Sequence, residues 1–469
     1  MTTELRNRIE SGDLHFLDGL VLLGMIASQR WFGGKSRDVL DARVLHAGVV
    51  PGGPPILAFA IVEVRYGLQT HDLYHLPLGF RPSDDGWVQQ AVVAETDGWV
   101  AYDAIADREL VARIVELVRA GESLDVGGAA IVFSGSETLP AAIGTVRPMG
   151  VEQSNSSLVL DERLALKLYR RIEPGLNPEL ELLRFLTKRG FPHVAALDGY
   201  VSYEGRPLEA TLAILQRFVP SHGDGWELAL ETLGQDPGWL PAHMRRLGEV
   251  TAALHNALAS DPTDAHFAPE EPSTESLALL SASIDEEIEQ VFAALPDSEA
   301  LAPVAGRGEE VRDRLRALTQ IGQIGRLIRH HGDYHLGQAL WTDEEDWLVL
   351  DLEGEPSRSL SERRRKRSPL RDVAGMLRSF AYAASASVIQ RGNEPPEGWE
   401  EDCRSEFLAG YLADVDPALL PSGEQAIGRL LTIFELEKAV YELRYELGNR
   451  PEWVSIPVAG ILRMLEADE

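Results

Sequence analysis

An α+β fold in two or three packed units is what this sequence predicts, and three observations predict it. At 469 residues the chain exceeds what one hydrophobic core organises. Short alternating apolar runs punctuated by Gly and Pro fill its first half. From about residue 221 the apolar spacing turns helical. With 44% hydrophobic and 25% charged residues the composition is that of an ordinary soluble globular protein that can bury a real core. No apolar run approaches the roughly 20 residues a membrane helix needs. The opening MTTELRNRIESGDLHF has no basic-then-apolar leader pattern, so the chain reads as cytoplasmic.

Charge and cysteine usage exclude several function classes. A formal net charge of -30 repels phosphodiester backbones, so nucleic acid is not an expected partner. The single cysteine, Cys403, forms no intramolecular disulfide and no zinc site, and reads as a semi-buried helix residue.

In chain order, residues up to about 90 read as a small, mostly β unit, with ILAFAIVEVRY from Ile56 as its clearest strand and PGGPP from Pro51 as punctuation. A helix is expected over AYDAIADRELVARIVELVRAG, where Leu110, Ile114, Leu117 and Val118 share one face and Gly121 closes it. Strands return with AAIVFSG, then SSLVLDERLALKLYRR, two arms joined at Asp161-Glu162-Arg163 as a hairpin. Asn177-Pro178 caps and starts a helix that runs to Gly190. ATLAILQRFV from Ala210 reads as a buried strand, and GDGWELAL opens the helical remainder. Unit boundaries are expected at 1–90, 91–220 and 221–469. Within the last unit RLIRHHGDYHLGQALW interrupts the helices, WLVLDLEGEP supplies a short strand, and helices resume at SPLRDVAGMLRSFAYAA. The basic run SERRRKRS at 361–368 reads as a solvated loop.

Phosphoryl transfer needs a carboxylate to orient the attacking hydroxyl, oxygen ligands for magnesium, a cation on the nucleotide phosphates and a loop over them. The sequence offers a candidate for each. HGDYHLGQ from His331 sets Asp333 and Gln338 five residues apart, a base and an oxygen ligand from one short loop. Thirteen residues beyond Gln338, DLEGE supplies Asp351 and Glu353, placed on one side of an extended chain by alternation. Such hard donors suit magnesium. His331 and His335 read as the scaffold of the loop. Lys167 sits in the apolar strand LALKLYRR, where an inward charge requires a partner. Glu181 in the next helix is the natural partner and Glu179 its competitor, since the two point about 200° apart. Ser154, Asn155 and Ser156, in EQSNSS from Glu152, are candidates to cover phosphates without a glycine motif.

Together HGDYHLGQ, DLEGEP, SPLRDVAGMLRSFAYAA and EQSNSS resemble the bacterial maltokinases, relatives of the aminoglycoside phosphotransferases. The likeness runs from QRWFGGKSR at Gln29 to ELEKAVYELRYE at Glu435. It implies a bilobal protein-kinase-like fold with an N-terminal cap, ATP as co-substrate and Mg2+ as cofactor. The implied reaction phosphorylates maltose at its anomeric hydroxyl, giving maltose 1-phosphate for α-glucan synthesis. The resemblance assigns Asp333 as the catalytic carboxylate, Gln338, Asp351 and Glu353 to the metal, and Ser154, Asn155, Ser156, Lys167 and Glu181 to ATP. It assigns His335, Lys438, Tyr441 and Tyr445 to the acceptor sugar, the last three sharing a helical face at spacings of three and four. Implied partners are the sugar and ATP, with association to trehalose or glucan-pathway enzymes, and neither nucleic acid nor membrane. Leu352 stands where the family usually has phenylalanine, and Gly33-Gly34 departs from the usual cap opening. Leu352 is expected to point into the core. Competing readings are a glucosamine kinase or an aminoglycoside kinase on the same scaffold and, from another class, a nucleotide-binding pseudokinase.

Overall fold

The computed structural model describes residues 2–68, 70–87, 91–136, 138–150, 154–205, 208–316 and 324–466. It divides into two compact units, Met1–Arg184 with Ala195–Val219, and Phe185–Val194 with Pro220–Glu469.

The first unit opens with helices α1 (Thr2–Glu10) and α2 (Leu20–Ser28) where strands were expected. Helix α1 buries Leu5 and Ile9, one turn apart, too few residues to display a period. Helix α2, LVLLGMIAS, is apolar on nearly every side, so its pattern carries no face. Strands β1 (Val39–Val49), β2 (Ile56–Tyr66), β3 (His71–Pro82), β4 (Val92–Thr96) and β5 (Trp99–Asp103) form an antiparallel sheet in the order β1-β2-β3-β5-β4. The expected helix over 101–121 begins late: Tyr102 and Asp103 still belong to β5. Helix α3 (Arg108–Ala120) starts where the Asp107 carboxylate accepts the Glu109 N–H at 3.0 Å. Gly121, at φ 67°, ends it as expected.

A second sheet combines β6 (Ser123–Asp125), β7 (Ala130–Gly135), β8 (Val146–Pro148), β9 (Asn155–Leu160) and β10 (Leu164–Tyr169) with two later strands, while the two-residue β11 (Arg171–Ile172) joins β3. After β11 comes α4 (Pro178–Lys188). The later strands, β12 (Leu197–Glu204) and β13 (Glu209–Arg217), complete the order β6-β7-β12-β13-β10-β9-β8. The β9–β10 hairpin turns at Asp161 and Glu162, whose φ values of 52° and 49° match the left-handed pair of a tight hairpin. The two sheets share one apolar core in which the Phe59 and Phe133 rings meet edge-on at 5.4 Å.

The second unit is mostly helical. A small sheet, β14 (Ser221–Asp224), β15 (Ala339–Thr342) and β16 (Trp347–Val349), accompanies α5 (Gly225–Gln235), α6 (Trp239–Leu258), α7 (Thr274–Ala293), α8 (Gly308–Arg316), α9 (Leu360–Arg363), α10 (Leu370–Ala386), α11 (Trp399–Asp414), α12 (Glu424–Asn449) and α13 (Ser455–Glu466). Cys403 is buried within α11. The basic run 361–368 is not a freely solvated loop. Ser359 and Glu362 form a capping box for α9, Arg363 is buried, and Lys366 Nζ donates to the carbonyls of Ala265 and Ala268 and to Glu270 at 2.6–2.8 Å. Long basic side chains bury their stems while their heads find acceptors.

Helices α6 and α11 cross where each presents a glycine. A Cβ on Gly248 would strike the Phe407 carbonyl, and one on Gly410 would strike the Arg245 carbonyl. Gly410→Ala is therefore expected to lower stability by about 1–3 kcal/mol through overpacking, read as a fall in the denaturant midpoint at unchanged slope.

Candidate active site

In the second unit the loop from His331 to Gln338 is tied down by α10. The Asp372 carboxylate accepts the N–H groups of His331 at 2.8 Å and Gly332 at 2.9 Å, and lies 3.0 Å from His255 Nε2. Ser379 Oγ accepts the Leu336 N–H at 3.2 Å. Burial pushes the Asp372 carboxyl up, but the imidazoles of His330 and His255 outweigh it and hold the group well below the usual carboxylate range. Gly332 turns the loop at φ 87°, and a Cβ there would stand 3.4 Å from the Gly354 Cα. His331 Nε2 donates to the Leu350 carbonyl at 2.8 Å, and the Leu350 N–H donates to the Gln338 carbonyl at 2.9 Å. The loop and the segment after β16 thus hold each other in register.

Asp333 lies 3.1 Å from Lys438 Nζ, and that ammonium stands 4.9 Å over the Tyr441 ring. Burial raises the Asp333 carboxyl, yet Lys438 and His335 bring it below its ordinary value, leaving it ionised near neutrality. Asp333 and Lys438 line a cavity with Glu355, Phe434, Glu437 and Tyr441. Burial pushes the Tyr441 hydroxyl up to about 12. Each carboxylate on the cavity wall has at least one partner, although Glu437 Oε2 is enclosed without a hydrogen bond among the described residues. Besides Asp333 and Asp372, Glu355 pairs with Arg358 at 2.7 Å, Glu437 with Arg371, and Glu287 with Arg444 at 3.0 Å. Sequence reasoning singled out neither Phe434 nor Glu437, although both share the spacing of three and four residues with Lys438 and Tyr441. Asp372 lay inside a quoted motif with no role attached. Glu287 comes from α7 and has no sequence signal linking it to this wall.

Of the other residues assigned to the sugar, Tyr445 is 43% exposed, one turn beyond Tyr441, and Arg450 stands 5.5 Å over its ring. It does not line the cavity. Neither does His335, whose Nδ1 accepts the Gly337 N–H at 3.1 Å and so caps a short helical turn, in keeping with its reading as scaffold.

Gln338 Nε2 lies 3.3 Å from Asp351 Oδ2, and carboxylate oxygens of Asp351 and Glu353 lie within 4.8 Å of one another. They do not converge through an extended pleat. Strand β16 ends at Val349, and Asp351 adopts a left-handed φ of 54°. Leu352 between them is buried, as expected. Two carboxylates and an amide whose half-turn would present Oε1 form a hard donor set that fits Mg2+.

In the first unit Lys167 Nζ bonds Glu179 Oε2 at 2.8 Å, and the Tyr169 hydroxyl donates to the same oxygen at 2.7 Å. This corrects the expected pairing with Glu181. Lys167 and Tyr169 share one strand face and reach the first turn of α4, where Asn177 Oδ1 accepts the Glu179 N–H at 2.8 Å. Glu181 is buried elsewhere on that helix. Glu152 and Gln153 lie outside the described residues. Ser154 precedes β9 and is exposed. Asn155 is opposite Tyr169 and Ser157 opposite Lys167, which puts both on the Lys167 face. Ser156 is opposite Leu168, on the reverse face, and its Oγ accepts from Arg170 Nε at 2.8 Å. Ser156, a candidate to cover phosphates, thus has its side chain on the face away from Lys167.

Residues 26–107 match the maltokinase N-terminal cap domain, and residues 145–407 match the phosphotransferase enzyme family. A glucosamine kinase of Streptacidiphilus jiangxiensis is 26% identical over 370 residues, covering 75% of this chain and 80% of that protein. One from Mycolicibacterium smegmatis is 24% identical over 331 residues, covering 68% and 79%. The solved structure of a glucosamine kinase in complex with glucosamine, ADP and inorganic phosphate covers 94% of this chain and 98% of its own, at 20% identity and a TM-score of 0.68. That likeness establishes the fold expected from the sequence, kinase-like with an N-terminal cap.

Asp372→Asn keeps the size of the side chain but removes the charge that serves three donors. Breaking such a buried cluster costs about 3–5 kcal/mol. Because the folded carboxyl sits below its ordinary 3.8, the unfolded chain takes up the proton first. The contribution is fully present above that value and is lost as the pH falls below it. Acid unfolding profiles of the native chain should thus steepen there, and those of Asp372→Asn should be flatter.

Proposed function

Because the chain belongs to the phosphotransferase enzyme family, we propose that it is a sugar kinase transferring the γ-phosphoryl group of ATP to the anomeric hydroxyl of maltose, with maltose 1-phosphate as product. Asp333, kept ionised beside Lys438, accepts the hydrogen bond and then the proton of that hydroxyl. The new O–P bond forms in line as the bond from the γ-phosphorus to the bridging oxygen breaks, and ADP leaves. Lys167, steadied by Glu179 and Tyr169, is assigned to the nucleotide phosphates. Gln338, Asp351 and Glu353 would hold Mg2+, which when bound neutralises charge on the phosphate oxygens. The cap match at residues 26–107 supports a maltokinase, whose product feeds α-glucan synthesis in the cytoplasm beside trehalose or glucan-pathway enzymes.

One observation carries the choice of acceptor. All five carboxylates on the cavity wall have a cationic or N–H partner, and Glu437 Oε2, which lacks a hydrogen bond among the described residues, is enclosed. The wall therefore offers hydroxyl recognition and an aromatic face but no exposed, unpartnered carboxylate for an ammonium. That favours a neutral sugar. The names of the curated relatives favour glucosamine instead. Parallel phosphorylation assays decide: turnover of maltose well above that of glucosamine is expected, and turnover of glucosamine alone defeats the maltose reading.

Asp333→Asn is expected to lower kcat by about 10²–10⁴ while ATP still raises the melting temperature. A wild-type chain that binds ATP but phosphorylates no sugar would favour a nucleotide-binding scaffold.

A further inference from the structure

We infer that the first unit carries a second ligand site, for a small phosphate monoester, in the cavity lined by Arg30, Trp31, Asp103, Arg108, Ser156 and Arg170. Its volume of about 650 Å3 lies within the range of small-molecule sites. In a chain of net charge -30, this wall holds three arginines against the single carboxylate of Asp103.

Arg170 is the built part of the site. It is fully buried, its Nε donates to Ser156 Oγ at 2.8 Å, and its Nη2 donates to Asp103 Oδ2 at 2.7 Å. Its Nη1 has no hydrogen-bond partner among the described residues. The guanidinium stands 5.3 Å from the centre of the Trp31 ring. Buried donors are almost always satisfied. This arm is itself enclosed, so a ligand oxygen completes it only with a small shift of the wall, while the exposed Arg30 and Arg108 offer the directly accessible charge. Arg108 donates to the Gly144 carbonyl at 3.0 Å, and neither it nor Arg30 is ion-paired to a carboxylate among the described residues. The two uncompensated charges match a dianion, and guanidinium forks suit phosphate oxygens. Trp31, with Ile105 and Ala106, supplies an apolar wall for the rest of the molecule.

Arg170 and Ser156 meet on the face of the β9–β10 hairpin away from Lys167, while Asn155 and Ser157 of the Lys167 face also border the cavity, so a Lys167 variant is the control that distinguishes the two sites. The test uses the full chain without nucleotide or metal, titrated calorimetrically with glucose 1-phosphate and with inorganic phosphate. Saturable one-to-one binding is expected. It should persist in Lys167→Met and weaken at least about tenfold in Arg30→Gln/Arg108→Gln, whose side chains are exposed and leave the core intact. Equal affinity for both probes would identify phosphate alone as the recognised group, and tighter binding of the sugar phosphate would add the Trp31 wall. Absence of saturable binding by either probe, or binding unchanged in the double arginine variant, overturns the inference.

Discussion

The second unit's chemistry depends on one carboxylate that touches no reacting atom in the proposed mechanism. Asp372 gathers two consecutive backbone N–H groups and an imidazole, which fixes where the loop leaves its buried start and therefore where Asp333 is presented. Those N–H groups have no helix or sheet partner of their own, and leaving them unpaired in the interior would cost about 1–3 kcal/mol each. The same loop then passes its position onward, because His331 bonds the Leu350 carbonyl and Gln338 accepts the Leu350 N–H. Rigid placement of a base and its neighbouring oxygen donors is what phosphoryl transfer asks of a protein.

The electrostatics of that region run against the chain as a whole. A net charge of -30 would make the burial of further carboxylates costly, yet five line one cavity. Each has a polar or charged partner, three of them arginine, whose fork can serve a carboxylate with two donors. Lys438 differs from the others. Its burial would favour loss of the proton, but Asp333 and Glu355 beside it keep it charged. The ammonium in turn keeps Asp333 available as an acceptor, so the two groups set each other's protonation and neither can be changed alone.

What the sequence disclosed depended on how local the signal was. The hairpin at Asp161-Glu162, the cap at Asn177 and the left-handed end at Gly121 are decided by neighbouring residues, and all three were legible. The order of HGDYHLGQ, a short strand and DLEGE was legible too, because each piece is short and bounded. The partner of Lys167 was not, because choosing Glu179 over Glu181 requires the approach of a helix to a strand face. The face of Ser156 depends on cross-strand register with Leu168, and the exposure of Tyr445 depends on where the wall ends along α12. Glu287 enters from a helix distant in sequence, so no spacing rule could reach it. Helix α2 was missed for the opposite reason, since apolar residues on every side erase periodicity.

Asp351 illustrates how a correct pairing can follow from an incomplete geometric argument. Alternation along a strand would place Asp351 and Glu353 on one side, and their oxygens do lie near one another, but the strand has already ended at Val349. A left-handed residue at 351 reverses the chain locally, and aspartate is among the few non-glycine residues that accept this conformation at modest strain. The strain is held from both sides, by the hydrogen bonds at Leu350 and by the burial of Leu352. An apolar residue at 352 is thus an anchor for its acidic neighbours, which is why leucine can stand where the related family has phenylalanine. The position requires a buried side chain of adequate volume, whereas the polar work belongs to the residues on either side.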